Sequence, residues 1–204
     1  MWALVESGSI SKIYTRPTQI KINDINYPSN IFMLWSSSEL KAIGIYEVVI
    51  DNTNLKDKEY YINTNQSFNF ASDTVTASYG TATAKNMADT LYTAQDETDG
   101  LGTEGEVKTK GLKTLHKEVI NSQAGGILAP TDWMVVRATE GGTAVPSSIT
   151  TQRASVRTKA NAMCTQIDNA ADVDALAALY EYTNTGTEEE PEYTRPLGEF
   201  PELD

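Results

Sequence analysis

The spacing of the apolar residues changes partway along the chain, and this change constrains the fold more than any other feature. In the first 80 residues apolar side chains alternate with polar ones, as in half-buried β-strands. From residue 107 onward they recur every three or four residues, as on one face of a helix. The pattern predicts an α+β protein: a small N-terminal antiparallel β domain with a short helical insertion, then a small α-helical C-terminal module and an extended acidic tail.

The N-terminal domain is predicted to span residues 1–94. Asn23-Asp24 suits a tight hairpin turn, because both residue types tolerate a positive φ. Ser36 and Glu39 have the spacing of a capping box, and Gly44 suits the residue that ends the inserted helix. A second short helix is predicted from the apolar spacing of residues 87–91.

Aromatic and aliphatic residues alternate with other residues in three stretches between residues 60 and 79: Tyr60 and Ile62, Phe68 and Phe70, then Val75, Ala77 and Tyr79. The main interpretation is that they form the buried face of a small sheet. The alternative is a carbohydrate-binding aromatic stripe, which would make this domain a receptor-binding module.

Residues 95–106 are predicted to be an acidic, glycine-rich linker, since they contain five acids, three glycines and no basic residue. The helical module then spans residues 107–184. Its first helix is expected to bury Leu112, Leu115 and Val119 and to end at Gly125-Gly126.

The longest predicted helix has an apolar stripe with nearly heptad spacing, formed by Ile149, Val156, Ala160, Met163 and Ile167. Helices 107–121 and 172–180 can cover it within one chain. Self-association through the same stripe is the alternative, so an oligomer within a larger assembly is possible on this pattern.

The stretch TDWMVVR, residues 131–137, is predicted to open a helix that ends at Gly141-Gly142. Thr131 suits the N-cap, and Asp132 in the first turn complements the helix dipole. Trp133 and Val136 lie three residues apart and so share a face. We expect Trp133 to be buried in a small helical core; the rival expectation is an exposed binding hot spot.

Residues 185–204 contain seven acids and three prolines, which predicts an extended acidic tail outside the fold. Four apolar residues recur in it: Tyr193, Leu197, Phe200 and Leu203. Either they dock in a groove on a neighbouring subunit, or the tail only solubilises the protein.

The residues needed for common catalytic sites are scarce. His116 is the only histidine and Cys164 the only cysteine, which excludes a zinc site built from these residues in one chain. His116 is predicted to be a semi-exposed helical residue and Cys164 a small buried one. No phosphate-binding loop is present, so neither an enzyme nor a cofactor is expected.

The net charge of −12 disfavours nucleic acids and anionic membranes as partners. One cysteine and an N-terminus without signal-peptide features suit a reducing cytoplasm.

The stretch LAPTDWMVVRATEGGTAVPSSITTQRASVR resembles a module of tail proteins of tailed bacteriophages, in a family labelled tail assembly chaperone-like or tail fibre-associated. The likeness includes TDW with an apolar pair and an arginine, an acidic-glycine turn, a VP, and the RxxVR that contains Arg153 and Arg157. Gln152 stands where tyrosine is common. LWSSSELKAIGIYEVV and LGEFP are also similar to parts of these proteins, so the resemblance covers most of the chain.

This resemblance implies a non-catalytic structural component of a phage tail, in the baseplate or tail fibre region, that contacts other tail or fibre proteins. The protein would be made in the host cytoplasm and retained in the virion tail; the alternative is an assembly chaperone that is not retained. The candidate motif and interface residues are Asp132, Trp133, Arg137, Arg153, Arg157, Tyr193, Leu197 and Phe200.

Overall fold

A five-stranded sheet organises residues 1–83 of the computed structural model, which describes residues 1–202. The strands of this first unit are β1 (Trp2–Glu6), β2 (Ser9–Tyr14), β3 (Ile20–Ile22), β4 (Ile25–Tyr27), β5 (Ile45–Asp51), β6 (Tyr61–Ile62), β7 (Gln66–Ala71) and β8 (Thr74–Tyr79). The sheet has the order β2-β1-β5-β8-β7, while β3 and β4 form a separate hairpin. β6 pairs with β9 (Thr83–Ala84).

Neighbouring strands of the sheet are antiparallel except β5 and β8, which are parallel. The chain leaves β5, forms β7 at the sheet edge, and turns back so that β8 lies between them. Ser72 and Asp73 make this turn with φ values of 50° and 58°. The α+β class with a mainly antiparallel N-terminal sheet is therefore confirmed, and the parallel pair is a detail that the alternation of residues does not show.

One face of the sheet is covered by the β3–β4 hairpin and by two short helices, α1 (Ile31–Leu34) and α2 (Ser37–Ala42). Asn23 and Asp24 have positive φ, as predicted for the hairpin turn. The predicted capping box is also present, with Ser36 accepting from the Glu39 backbone and Glu39 accepting from the Ser36 backbone. Gly44 follows at φ 82°, where a Cβ atom would lie 2.9 Å from the Val5 carbonyl oxygen.

The other face of the sheet holds a second cluster of buried residues: Ala3, Val48, Val75 and Ala77. Phe68 and Phe70 are partly buried and pack against this cluster. The strand aromatics at these two positions therefore contribute to the core, as the main interpretation predicted.

The second unit begins at residue 84 with a short β-structure in place of the predicted helix at 87–91. β10 (Thr90–Leu91) pairs with β11 (Val107–Thr109), and α3 (Ala94–Thr98) lies between them. The segment 95–106, predicted as a linker, thus contains a helix and lies inside the second unit. Hydrogen bonds order it where apolar burial does not: Thr93 and Asp96 form a capping box, and Lys108 Nζ lies 2.6 Å from Asp96 Oδ1.

Four further helices build the second unit: α4 (Leu112–Leu128), α5 (Asp132–Thr139), α6 (Ser147–Asn169) and α7 (Val173–Ala178). Val156, Ala160, Met163 and Ile167 of α6 are buried, which confirms that the long stripe packs within one chain. Ile149, at the start of the stripe, is only half-buried.

The predicted ending of α4 is wrong, and of its three residues predicted to be buried only Leu112 is buried. The helix continues through Gly125 and Gly126, and Leu115 and Val119 are exposed. Its buried residues are Leu112, His116, Ile120 and Ala124, which recur every four residues along α4. A Cβ atom at either glycine would meet no atom within 4 Å outside the backbone of α4 itself, so no close packing requires glycine at these positions.

No helix among residues 1–202 is long and apolar enough to cross a membrane.

Candidate protein-interaction site

The junction between α4 and α5 is a short turn built around Pro130. Residues Ala129–Thr131 form a 3-10 helix, since Pro130 has no N–H to donate to the helical ladder. Thr131 stands at the N-cap position of α5 as predicted, but its hydroxyl donates to the Leu128 carbonyl and makes no cap bond to α5.

Arg153 of α6 fixes this turn with three hydrogen bonds. Nη1 donates to the Leu128 carbonyl at 2.8 Å and to the Thr131 hydroxyl, and Nη2 donates to Asp132 Oδ1 at 2.7 Å. The Arg153 side chain is largely buried, whereas Asp132 is exposed. Asp132 and Arg153, which lie 21 residues apart in sequence, thus form the link that holds the start of α5 on α6.

The end of α5 is held by two glycines, as predicted. Gly141 has φ 82°, and the N–H groups of Gly141 and Gly142 donate to the carbonyls of Ala138 and Arg137. This is the hydrogen-bond pattern of a Schellman motif. The start of α5 is therefore held on α6 by Arg153, whereas its end is closed by hydrogen bonds within the helix itself.

α5 presents apolar side chains to solvent. Trp133 is 55% exposed, Val135 and Val136 are also exposed, and the helix has no buried residue. Trp133 and Val136 share a face as expected, but the expectation that Trp133 is buried is wrong. Hydrogen bonds to Arg153 hold the start of this short helix, and the glycine motif closes its last turn.

Arg137 stacks on the exposed indole. Its guanidinium carbon lies 4.7 Å from the centroid of the Trp133 ring, one helical turn earlier. Arg137 Nε is buried and has no hydrogen-bond partner among residues 1–202. The guanidinium is therefore positioned by the indole face, and the stacking in turn restricts the Trp133 ring.

The RxxVR segment of α6 divides into three positions with different surroundings. Arg153 holds the turn, Val156 is buried in the core, and Arg157 is exposed. Arg157 makes no hydrogen bond or ion pair within the described part of the chain. The structure thus joins Asp132, Trp133, Arg137 and Arg153 around α5.

The C-terminal candidates lie in a different place, on an arm formed by residues 180–202. Its strands β12 (Thr183–Asn184) and β13 (Tyr193–Thr194) pair as a hairpin around the acidic loop. Tyr193 is exposed, Phe200 is half-buried and Leu197 is fully buried. The expectation that this segment stays outside the fold is wrong for Leu197; Leu203 lies outside the described residues.

Three hydrogen bonds fasten the arm around Leu197. The Leu197 N–H donates to the Leu179 carbonyl, Lys159 Nζ donates to the Leu197 carbonyl, and Gln166 donates to the Pro196 carbonyl. Since Lys159 and Gln166 belong to α6, the arm is tied to the longest helix of its own unit.

Arg195 is a residue of the arm that sequence reasoning missed. Its guanidinium carbon lies 5.8 Å from the Tyr180 ring centroid and 5.3 Å from that of Tyr182, and it pairs with Glu199. The hydrogen bond that Tyr182 donates to Glu199 raises the pKa of the tyrosine. The contacts join residues 13 and 15 positions apart across the hairpin, and no local pattern in the sequence signals them.

His116 and Cys164 differ from expectation. His116 is buried, and its Nδ1 lies 2.9 Å from the Tyr180 hydroxyl, 64 residues later in the sequence. This hydrogen bond lowers the cost of burying the polar ring. Cys164 is half-buried, whereas full burial was expected. Its partial burial raises the pKa of the thiol. No group of three His, Cys, Asp or Glu residues within residues 1–202 is placed to hold a metal ion.

No protein-family model, curated protein or solved structure matches this chain. The resemblance to phage tail proteins therefore rests on the sequence motifs alone. The structure shows the positions and contacts of four motif residues, Asp132, Trp133, Arg137 and Arg153.

Proposed function

We propose that this protein acts by protein–protein contact, as a non-catalytic structural component of a bacteriophage tail in the baseplate or fibre region. The observation that carries the proposal is the presentation of α5. An exposed tryptophan and two exposed valines lie on a helix whose start is held on α6 by Arg153 and whose last turn is closed by the Gly141-Gly142 motif. The proposed partners are other tail or fibre proteins.

A fixed apolar helix is a favourable surface for binding. A tryptophan beside valines supplies the kind of large, rigid contact that dominates interface energies. Because Arg137 already restricts the indole ring, little side-chain entropy remains to be lost on association. The polar groups around α5, Asp132 and Glu140, are exposed and suit the rim of an interface.

Quantitative mass spectrometry of purified virions from the phage that encodes this sequence tests the proposal. A fixed number of copies per particle is the expected result. Absence from particles, with abundance in infected cells and capture of a tail or fibre protein, would favour the alternative role of assembly chaperone. Absence from particles and no associated tail protein would contradict both roles.

Substitution of Trp133 tests the surface itself. Trp133→Ala should leave the melting temperature nearly unchanged, because the ring is more than half exposed. It should lower incorporation into particles or capture of the partner by about tenfold or more, the range for a binding hot spot. The matched control is Leu101→Ala, a residue that is 60% exposed and lies outside α5. Equal incorporation of the two variants would remove α5 from the interface.

A further inference from the structure

The segment between β5 and β7 consists of loops on either side of the short strand β6, and hydrogen bonds from its own side chains hold it in place. The Asn63 amide accepts from the Lys56 N–H at 2.9 Å and donates to the Lys56 carbonyl at 2.7 Å. Thr64 Oγ1 accepts from the Gly80 N–H at 2.7 Å, which ties the loop to the end of β8.

This segment and the ends of β7 and β8 line an open groove of about 510 Å³. This volume is within the roughly 300–1,000 Å³ of small-molecule sites. The residues used below are Leu55, Tyr61, Ile62, Asn65, Gln66 and Tyr79, all of which line it.

Two tyrosines and two amides face this groove. Gln66 and Tyr79 are directly opposite each other in the β7–β8 register, so their side chains lie on the same face of the sheet. The side-chain amides of Asn65 and Gln66 make no hydrogen bond within residues 1–202. Lys56 Nζ lies 5.7 Å from the Tyr61 ring centroid, which helps to fix that ring.

We propose that this groove binds a short neutral oligosaccharide. A pyranose ring has an apolar C–H face and a rim of hydroxyl groups. Aromatic rings pack against the first, while amides, which both donate and accept, satisfy the second. Leu55 and Ile62 are exposed beside the tyrosines and extend the apolar floor.

The charges favour a neutral ligand. Lys58 is the one charged residue among those lining the groove, and the nearby Lys56 ammonium lies over the Tyr61 ring; no arginine among the lining residues offers the paired donors that hold phosphate or carboxylate groups. This site belongs to the first unit, and it does not depend on the interaction proposed for α5 in the second.

A glycan array probed with the labelled full-length protein tests the proposal, followed by titration of the best neutral oligosaccharide by calorimetry. We expect at least one neutral oligosaccharide to bind. Gln66→Ala should weaken it by about five- to tenfold, the loss of one or two hydrogen bonds. Tyr61→Leu should weaken it by about tenfold through loss of ring contact.

The matched controls are Asn69→Ala, on the opposite face of β7, and Tyr193→Leu, an exposed tyrosine of the second unit; neither should change the affinity. Backbone amide shifts of the wild-type protein on titration should concentrate at residues 55–66 and 79. No binding by the wild type, or binding that Gln66→Ala and the shift pattern place elsewhere, overturns the proposal. If Tyr61→Leu does not fold, Gln66→Ala and the shifts still decide.

Discussion

Truncation of Leu197 to alanine tests whether the acidic C-terminal arm is part of the fold. Leu197 has 0% of its surface exposed, although it lies among acids and prolines. Its backbone is bonded to Leu179 and Lys159, and these bonds stay possible in the variant. The substitution therefore removes apolar burial and leaves a cavity while changing little else.

The expected loss is about 2–5 kcal/mol of unfolding free energy, the range for a buried leucine replaced by alanine. Tyr193→Ala is the control on the same arm, because Tyr193 is 64% exposed. It should change the unfolding free energy by less than about 0.5 kcal/mol, as surface substitutions do.

Urea unfolding followed by circular dichroism at 222 nm measures both variants, because α4 and α6 give most of the helical signal. The two units can unfold separately, so the transition that carries the helical signal is the one to fit. If Leu197→Ala unfolds at the same urea concentration as Tyr193→Ala, the arm is not packed in solution and the buried position of Leu197 is refuted.

Three further outcomes are expected. Arg153→Met should destabilise the second unit by about 1–3 kcal/mol in thermal melts, since it removes the hydrogen bonds to the Leu128 carbonyl, the Thr131 hydroxyl and Asp132, whereas the exposed Arg157→Met should have little effect. Gly44→Ala should cost more than the roughly 1–2 kcal/mol of a left-handed alanine, and more than Gly8→Ala, because a Cβ at Gly44 meets a backbone oxygen at 2.9 Å while one at Gly8 meets nothing. Hydrogen bonds from Lys108 and then from the helix cap lower the pKa of Asp96 to about 2. Because this value is below the ordinary one of about 3.9, the stabilisation is complete above about pH 4 and is lost as the pH falls through about 2; amide shifts of residues 93–109 should follow this course in the wild type and not in Asp96→Asn.

The features that could be predicted from the sequence are those decided within a few residues. The capping box at Ser36, the positive φ values at Asn23-Asp24 and the glycine ending at Gly141 each depend on atoms no more than five residues apart. The α6 stripe was also predictable, because four buried positions at helical spacing leave one face for the core.

The errors share a different cause. Apolar spacing predicts that Leu115 and Val119 face the core. Both are exposed, and the polar His116 is buried. His116 is buried because the Tyr180 hydroxyl, 64 residues away in sequence, provides its hydrogen bond. Apolar periodicity ranks residues by side-chain chemistry and cannot register a distant partner that changes the cost of burial.

The same reasoning explains why the candidate site was only half predictable. The resemblance to phage tail proteins singles out Asp132, Trp133, Arg137 and Arg153, but whether Trp133 is buried depends on how α5 is held on α6. Arg153 reaches the start of the helix from 21 residues away, and this contact makes an exposed indole compatible with an ordered helix.

The acidic arm shows how an average over composition can mislead. Seven acids in twenty residues predict a segment that cannot form a core, and the loop that carries Glu188, Glu189 and Glu190 is indeed exposed. Yet a segment needs no hydrophobic core of its own when one of its side chains is buried in the core of the neighbouring helices. Leu197 does so, and the pairing of β12 with β13 and the stacking of Arg195 on two tyrosines lie on the stretch that leads to it. The six acids of this segment that lie within residues 185–202 are all exposed, so their charges remain in solvent and do not oppose the burial of Leu197.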